Sequence, residues 1–236
     1  MTTITQQPPT KPRLNRDGAR LFIAIFAFQA VQAAVLFIAA GTARWPAAWA
    51  YFGVYALCYT VGLAWVASVN PAVINERGRR STNTEKFDQR FHRLMPLLLF
   101  GGLIVGGLDH RFGWSAVPGW LQLVGLALLV PALLLAVWVL ASNAYAVRVV
   151  RLQDGHQVIS TGPYRTVRHP MYSGTLLAFV AAALALGSWW MLVPAAAGIV
   201  LFVWRTARED ATLQQKLPGY REYAQQTRYR LVPRVW

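Results

Sequence analysis

Long apolar runs constrain this chain more than any other feature of its sequence. Leu21–Ala40 has twenty consecutive residues without a charge, and Trp45–Val69 is longer still. A helix needs about 20 apolar residues to cross the hydrocarbon core of a bilayer. The other four runs are Leu94–Leu108, Ala116–Ala141, Met171–Leu186 and Trp189–Trp204. The pattern predicts an all-α, polytopic integral membrane bundle with about six transmembrane helices.

The basic residues predict how these helices are oriented. The chain contains 23 Lys and Arg residues, and with six crossings only Arg44 and Arg111 fall on the less basic side. Because Lys and Arg are enriched in cytoplasmic loops, we expect both termini in the cytoplasm. Leu94–Leu108 has only fifteen residues, but it must cross if Arg111 is to be separated from the other basic loops.

The charged residues and the histidines indicate which kinds of partner the chain is expected to bind. The net charge of +14 is concentrated at the membrane borders, where anionic lipids and the topology rule account for it. We therefore expect contacts with membrane lipids and no binding of nucleic acid. The four histidines lack the spacing of a zinc site, so we expect no metal. The external loops are short, which favours chemistry on the cytoplasmic side.

Three regions follow along the chain. Residues 1–19 are predicted to form a flexible cytoplasmic tail, because they are polar and rich in proline. Residues 20–141 are predicted to form an N-terminal transmembrane region of four helices. Residues 142–236 are predicted to combine a transmembrane helical hairpin with a cytoplasmic tail helix.

Residues 161–174 carry the densest polar chemistry, directly before the fifth apolar run. Gly162 with the proline after it indicates a turn. Pro170 suits the first turn of a helix, where its missing N–H needs no partner. Arg168 and His169 then stand at a helix N-terminus, where exposed N–H groups and the helix dipole favour an anion. We expect a carboxylate or phosphate to bind there.

A second polar segment follows the last apolar run. Glu209 and Asp210 are two of only nine acidic residues in the chain. If the helix continues past the membrane, Arg205 lies one turn before Glu209, and Tyr220 and Tyr223 share a face. Two interpretations stay open here: a solvated amphipathic tail with a surface ion pair, or one wall of a functional site.

Taken together, the two segments resemble the isoprenylcysteine carboxyl methyltransferases, and the membrane phospholipid and thiol methyltransferases that share their signature. The resemblance covers about 143–236 and is looser over 70–142. Its first block is Gly162-Pro163-Tyr164, then Arg168-His169-Pro170-Met171-Tyr172 with Gly174. Its second block is Glu209-Asp210 with Leu213, then Gly219-Tyr220-Arg221-Glu222-Tyr223. At Asp210 the sequence departs from the family, which usually has glutamate.

The resemblance implies a methyltransferase that uses S-adenosyl-L-methionine. It would act from the cytoplasmic side of a bacterial inner membrane. The acceptor would be lipophilic: an isoprenylcysteine carboxylate, a lipid amine or a thiol. The implied catalytic residues are Arg205 and Glu209, although topology alone also explains Arg205. The implied cofactor-binding residues are Gln157, Val158, Gly162, Tyr164, Arg168, His169, Pro170, Tyr172, Glu209 and Asp210.

Two other functions stay open. A membrane reductase of the steroid type would share a related C-terminal helical arrangement and would use NADPH. Its diphosphate would require several arginines, and those available are Arg165, Arg168, Arg205 and Arg208. A scaffold or transporter is the second alternative. The apolar runs contain no charge of the kind that ion and proton paths often require, which argues against a transporter.

Overall fold

The computed structural model describes residues 13–79, 85–150 and 155–236. All regular secondary structure in these ranges is helical, which confirms the predicted fold class. The α-helices are α1 Arg16–Ala40, α2 Pro46–Val69, α3 Pro71–Gly78, α4 Lys86–Phe112, α5 Gly119–Ser142, α6 Pro170–Ala185, α7 Leu192–Lys216 and α8 Tyr220–Gln226. A 3₁₀ turn, Gly162–Arg165, precedes α6.

Four helices, α1, α2, α4 and α5, are long and apolar enough to cross a membrane. The doubtful third run, Leu94–Leu108, is the centre of α4, which has 27 residues. The last two predicted crossings correspond to α6 and α7, which pack against each other as a hairpin. α6 has only 16 residues, and the second half of α7 is polar. The structure therefore supports four full-length spans and one shorter apolar helix.

The first helix begins before the predicted boundary at residue 20. The side chain of Asn15 accepts hydrogen bonds from the backbone N–H groups of Asp17 and Gly18, as an N-cap residue does. α1 therefore begins at Arg16, inside the predicted tail. Residues 1–12 of that tail lie outside the described residues. α3 packs along α1, and Asn75 of α3 donates to the carbonyl oxygen of Arg13 at 2.9 Å.

Close helix packing holds α5 against α6. A Cβ atom added at Gly125 would overlap the backbone nitrogen of Ala185 and lie 2.8 Å from the carbonyl oxygen of Ala181. Small residues at such positions allow helix backbones to approach closely in membranes. Gly174 packs closely nearer the N-terminus of α6, since a Cβ atom added there would lie 2.7 Å from the carbonyl oxygen of Ala132 in α5.

We predict that Gly125→Ala lowers the thermal unfolding temperature by several degrees, because α6 must move away from α5 to accommodate the methyl group. Gly101→Ala is the matched control, since nothing lies within 4 Å of a Cβ added there. That control should be neutral or slightly stabilising, because alanine is the better helix former by about 1 kcal/mol. Equal unfolding temperatures for the two variants in detergent would contradict this packing.

The C-terminal segment folds back onto the loop before α6. The backbone N–H groups of Arg168 and His169 donate to the carbonyl oxygens of Tyr229 and Arg230, each at 2.9 Å. The hydroxyl of Tyr223 in α8 donates to the carbonyl oxygen of Tyr164 at 2.8 Å. These bonds bring the two polar segments of the sequence into contact at one end of the bundle.

Candidate active site

A cavity of about 380 Å³ lies where α5 ends and α6 begins. Its volume is in the range of small-molecule sites, about 300–1,000 Å³. We call it the main cavity. Nine of the predicted site residues line it: Gln157, Val158, Tyr164, Arg168, His169, Pro170, Tyr172, Arg205 and Glu209. The remaining two, Gly162 and Asp210, are absent from its described wall.

His169, Tyr172 and Glu209 form a continuous polar face on the main cavity. The rings of His169 and Tyr172 are stacked with centroids 5.7 Å apart. The hydroxyl of Tyr172 donates to Oε2 of Glu209 at 2.6 Å. Pro170 is the first residue of α6, so His169 stands at the cap position and Tyr172 follows within the first turn. The two sequence blocks therefore meet at a single cavity.

The guanidinium of Arg168 is hydrogen-bonded to other groups of the protein. Its Nε donates to Oδ1 of Asp210 at 2.7 Å, and an Nη donates to Oδ2 at 3.1 Å. The other Nη donates to the carbonyl oxygens of Thr227 and Arg228 at 2.9 and 3.0 Å. Nε2 of His169 lies 3.5 Å from Oδ1 of Asp210. Arg168 and His169 thus face the carboxylate of Asp210, a group of the protein itself, and the bound anion that the sequence predicts there stays a prediction.

Asp210 also ties the tail helix to α7. It is fully buried and accepts hydrogen bonds from Tyr220 at 3.0 Å, Arg230 at 2.9 Å and Gln214 at 2.8 Å. Burial, and then the Asp210 charge, raise the pKa of Tyr220 well above its usual value, so its hydroxyl remains a donor. Asp210 therefore lies behind the cavity wall and holds α8 in place.

The solvated-tail interpretation of the last segment is wrong. Tyr220 and Tyr223 are only 4% and 5% exposed. They pack with Leu217, Val158 and Tyr164 in a small apolar cluster. Burial raises the pKa of Tyr223 to about 12. α8 is therefore one side of the site rather than a surface helix.

The predicted surface ion pair between Arg205 and Glu209 is also absent from the described residues. Nε of Arg205 donates to Oδ1 of Asp88 at 2.7 Å, and both side chains are buried. The guanidinium lies 4.4 Å from the ring centroid of Phe91 and 5.0 Å from that of Tyr172. Arg205 thus joins α7 to α4 and presents a fixed positive charge to the main cavity.

His156 is a site residue that sequence reasoning missed. It lines the main cavity, and its ring stacks on that of Tyr145 at 4.5 Å. Its Nδ1 atom is buried without a hydrogen-bond partner among the described residues. Burial lowers its pKa, which favours the neutral ring. A buried, unsatisfied polar atom is costly, and this nitrogen leaves a hydrogen-bonding group available in the wall of the main cavity. Its sequence position carries no motif.

The arginines available to a steroid-type reductase are not gathered at one point. Arg165 and Arg208 are exposed and do not line the main cavity as described. Arg168 and Arg205 do line it, but each is committed to a buried carboxylate. Within the described residues, the four side chains do not form a diphosphate-binding cluster.

The fold and the cavity define a polytopic membrane protein with a small-molecule site at one end of its helix bundle. Residues 120–218 match the family described as phospholipid methyltransferase. The matched family is part of the isoprenylcysteine carboxyl methyltransferase-like membrane methyltransferases, so the match confirms the resemblance. The matched range includes α5, α6 and α7, and therefore the His169, Tyr172 and Glu209 face. No curated protein matches the chain.

Proposed function

We propose that the protein transfers a methyl group from S-adenosyl-L-methionine to a lipophilic acceptor, on the cytoplasmic side of a bacterial inner membrane. The observation that most supports this proposal is the continuous face of His169, Tyr172 and Glu209 on one cavity. These three residues lie within the range that matches the methyltransferase family. The basic loops support the cytoplasmic orientation.

The donor and acceptor groups around the main cavity fit the proposed cofactor. Glu209 offers a carboxylate oxygen to ribose hydroxyls or to the ammonium group. His156 offers its unpaired Nδ1. The rings of Tyr164 and Tyr172 line the wall, and aromatic faces attract cationic ligand groups such as a sulfonium. The N–H groups of 157–159 form no backbone hydrogen bond within the described residues, so they are available to an adenine edge.

The proposed reaction depends on alignment of the acceptor with the methyl group more than on acid–base catalysis. The bound cofactor supplies a methyl group on a sulfonium, which is already a good leaving group. The protein has to hold the acceptor in line with that methyl group and exclude water. α8 covers one side of the cavity through Tyr220 and Tyr223. Arg205, fixed by Asp88, stabilises an anionic acceptor atom, and a carboxylate or thiolate acceptor needs no general base.

The test compares how S-adenosylhomocysteine, the demethylated form of the proposed cofactor, and NADPH change the stability of the purified protein. We predict that S-adenosylhomocysteine raises the thermal unfolding temperature in a saturable way. A ligand that binds only the folded state at 100 times its Kd contributes about 2.7 kcal/mol. NADPH at the same concentration should have no effect. A shift with NADPH alone would support a reductase, and no shift with either would support a scaffold or transporter.

The acceptor is identified by its product. The protein is incubated with lipid and small-molecule extracts and methyl-labelled cofactor, and labelled products are read by mass spectrometry. An ester, an amine or a thioether product assigns the acceptor atom directly. Boiled protein is the control, because non-enzymatic methylation appears in both samples.

A further inference from the structure

Asp88, in the first turn of α4, is a fully buried carboxylate that two side chains share. Its Oδ1 accepts a hydrogen bond from Nε of Arg205 at 2.7 Å. Its Oδ2 accepts from the backbone N–H of Val150 at 2.9 Å and lies 3.4 Å from Nε2 of His92. The proposed function uses Arg205 but gives no role to His92.

His92 is in contact with this carboxylate, with the main cavity and with solvent. It lines the main cavity, and 43% of its side chain is exposed. Its ring meets the ring of Phe91 edge-on at 5.5 Å, and the guanidinium of Arg205 lies 4.4 Å from the same Phe91 ring. His92 and Arg205 are therefore neighbours at one end of the main cavity, on either side of Asp88.

The burial of Asp88 distinguishes this pair from a surface ion pair. An acid and a base four residues apart on a helix surface stabilise it by only about 0.2–0.5 kcal/mol. Asp88 is 0% exposed, and a buried carboxylate against one ring nitrogen fixes the orientation and the tautomer of an imidazole. Nε2–H of His92 then donates to Asp88, so Nδ1 keeps its lone pair. Such hydrogen bonds are often long before a substrate binds.

Three other basic groups among the described lining residues are less suited to take up a proton from a substrate. His169 is only 7% exposed, and its Nε2 faces Asp210. Nδ1 of His156 is buried, so it has no contact with water. Glu209 is already assigned to the cofactor by the proposed function. Of these four groups, His92 is the one that combines a buried carboxylate partner with an exposed ring.

We propose that His92, oriented by Asp88, is the general base for an acceptor whose methylated atom bears a proton, a thiol sulfur or an amine nitrogen. This inference rests on the proposed function and adds a catalytic residue to it. The acceptor atom gives one proton to Nδ1 of His92, and the electron pair that this leaves forms the bond to the methyl carbon. The electron pair of the broken carbon–sulfur bond stays on the sulfur of the methyl donor. The exposed ring then releases the proton to water.

The chemistry of histidine suits this role. Its ordinary pKa of about 6.5 lies near neutral pH, where a general base is most effective. Arg205, on the same carboxylate, stabilises the negative charge that a thiol sulfur acquires as its proton leaves. An acceptor that is already ionised gains nothing from His92, so the effect of this residue depends on the acceptor.

The first measurement needs no turnover. The full-length protein, with isotope-labelled histidine and in a neutral detergent, is studied by nitrogen NMR, and His92→Gln identifies the signals of His92. The neutral ring should carry its proton on Nε2 and leave Nδ1 unprotonated. A neutral ring with its proton on Nδ1 would overturn the inference, because the nitrogen with the lone pair would then face Asp88.

The second measurement compares two probe acceptors. Dodecanethiol must lose a proton to be methylated, whereas dodecanoate is already ionised at neutral pH. His92→Gln should slow methyl transfer to dodecanethiol about 100-fold or more, as expected for loss of a general base, and transfer to dodecanoate less than about threefold. The thiol rate of the variant should recover as the pH is raised, because the thiol then ionises without a base.

His110→Gln is the matched control. His110 is exposed in the last turn of α4, at the opposite end of the helix from His92, and it lies outside the described wall of the main cavity. Removing this histidine should leave both rates unchanged.

Three kinetic outcomes overturn the inference. An unchanged thiol rate in His92→Gln would remove His92 from the reaction, and an equal loss with both acceptors would give it a structural role. An ester as the product of the extract experiment would mean that the acceptor needs no base. If no methylated product forms and S-adenosylhomocysteine does not bind, the proposed function itself fails, whereas the tautomer of His92 is measured independently of both.

Discussion

Asp210→Asn is expected to destabilise the folded protein by about 3–5 kcal/mol, the usual cost of removing one partner of a buried ion pair. Asp210 is fully buried and receives two hydrogen bonds from Arg168 at 2.7 and 3.1 Å. It also accepts from Tyr220 and Arg230. Asparagine keeps the size of the side chain but removes the negative charge and one acceptor, so the buried Arg168 guanidinium loses its counter-charge.

The measurement is unfolding by denaturant in detergent, compared with Asp17→Asn. Asp17 pairs with Arg20 at 2.9 Å on the surface of α1, and exposed pairs contribute about 0–1 kcal/mol. The control should therefore unfold close to the wild type. If Asp210→Asn were as stable as Asp17→Asn, the network around Asp210 would not be what holds α8 and the C-terminal segment in place.

The fold could be predicted from the sequence because apolar length decides it. Each long run became a helix, and the basic loops correctly required the short third run to be part of a full-length one. The end of the bundle was harder to predict. α3 has eight residues and a mixed composition, so it gives no periodic signal. α6 stops at 16 residues, because Gly187 adopts a left-handed φ of 72°.

The meeting of the two polar segments was predictable, but the role of each residue was not. Consecutive residues on a helix are about 100° apart around its axis. Glu209 therefore faces the main cavity while Asp210, its neighbour, faces α8 and Arg168. The sequence places both acids in one block, and the resemblance assigns both to the cofactor. The orientation of α7 about its own axis decides that Glu209 lines the main cavity and that Asp210 lies behind its wall.

Side-chain contacts between residues far apart in the sequence could not be predicted either, for a similar reason. Asp88 and Arg205 are 117 positions apart, and a single acid near the start of a helix is more often a favourable charge at the helix dipole. The unpaired Nδ1 of His156 is likewise visible only once the loop is folded. Contacts between elements depend on how helices pack, which a single sequence does not encode in any local pattern.

Glu209→Gln is expected to weaken S-adenosylhomocysteine binding about 10- to 100-fold, since a hydrogen bond to a charged group is worth about 1.5–3 kcal/mol. Glu209 lines the main cavity and accepts from Tyr172 at 2.6 Å. Glutamine can still accept that hydrogen bond, so stability should change little. What the variant loses is the negative charge that faces a ligand with an ammonium and a sulfonium group.

Calorimetric titration of the wild type and the variant measures this effect, with Glu222→Gln as the matched control. Glu222 lies on α8 but is exposed and outside the described wall of the main cavity, so the same change of charge should leave binding unaltered. A folded Glu209→Gln protein with wild-type affinity would remove Glu209 from the cofactor site. An equal loss in both variants would show that only the overall charge of this end of the bundle matters. Specific weakening in Glu209→Gln, with its unfolding temperature preserved, would instead show that the carboxylate itself contacts the ligand.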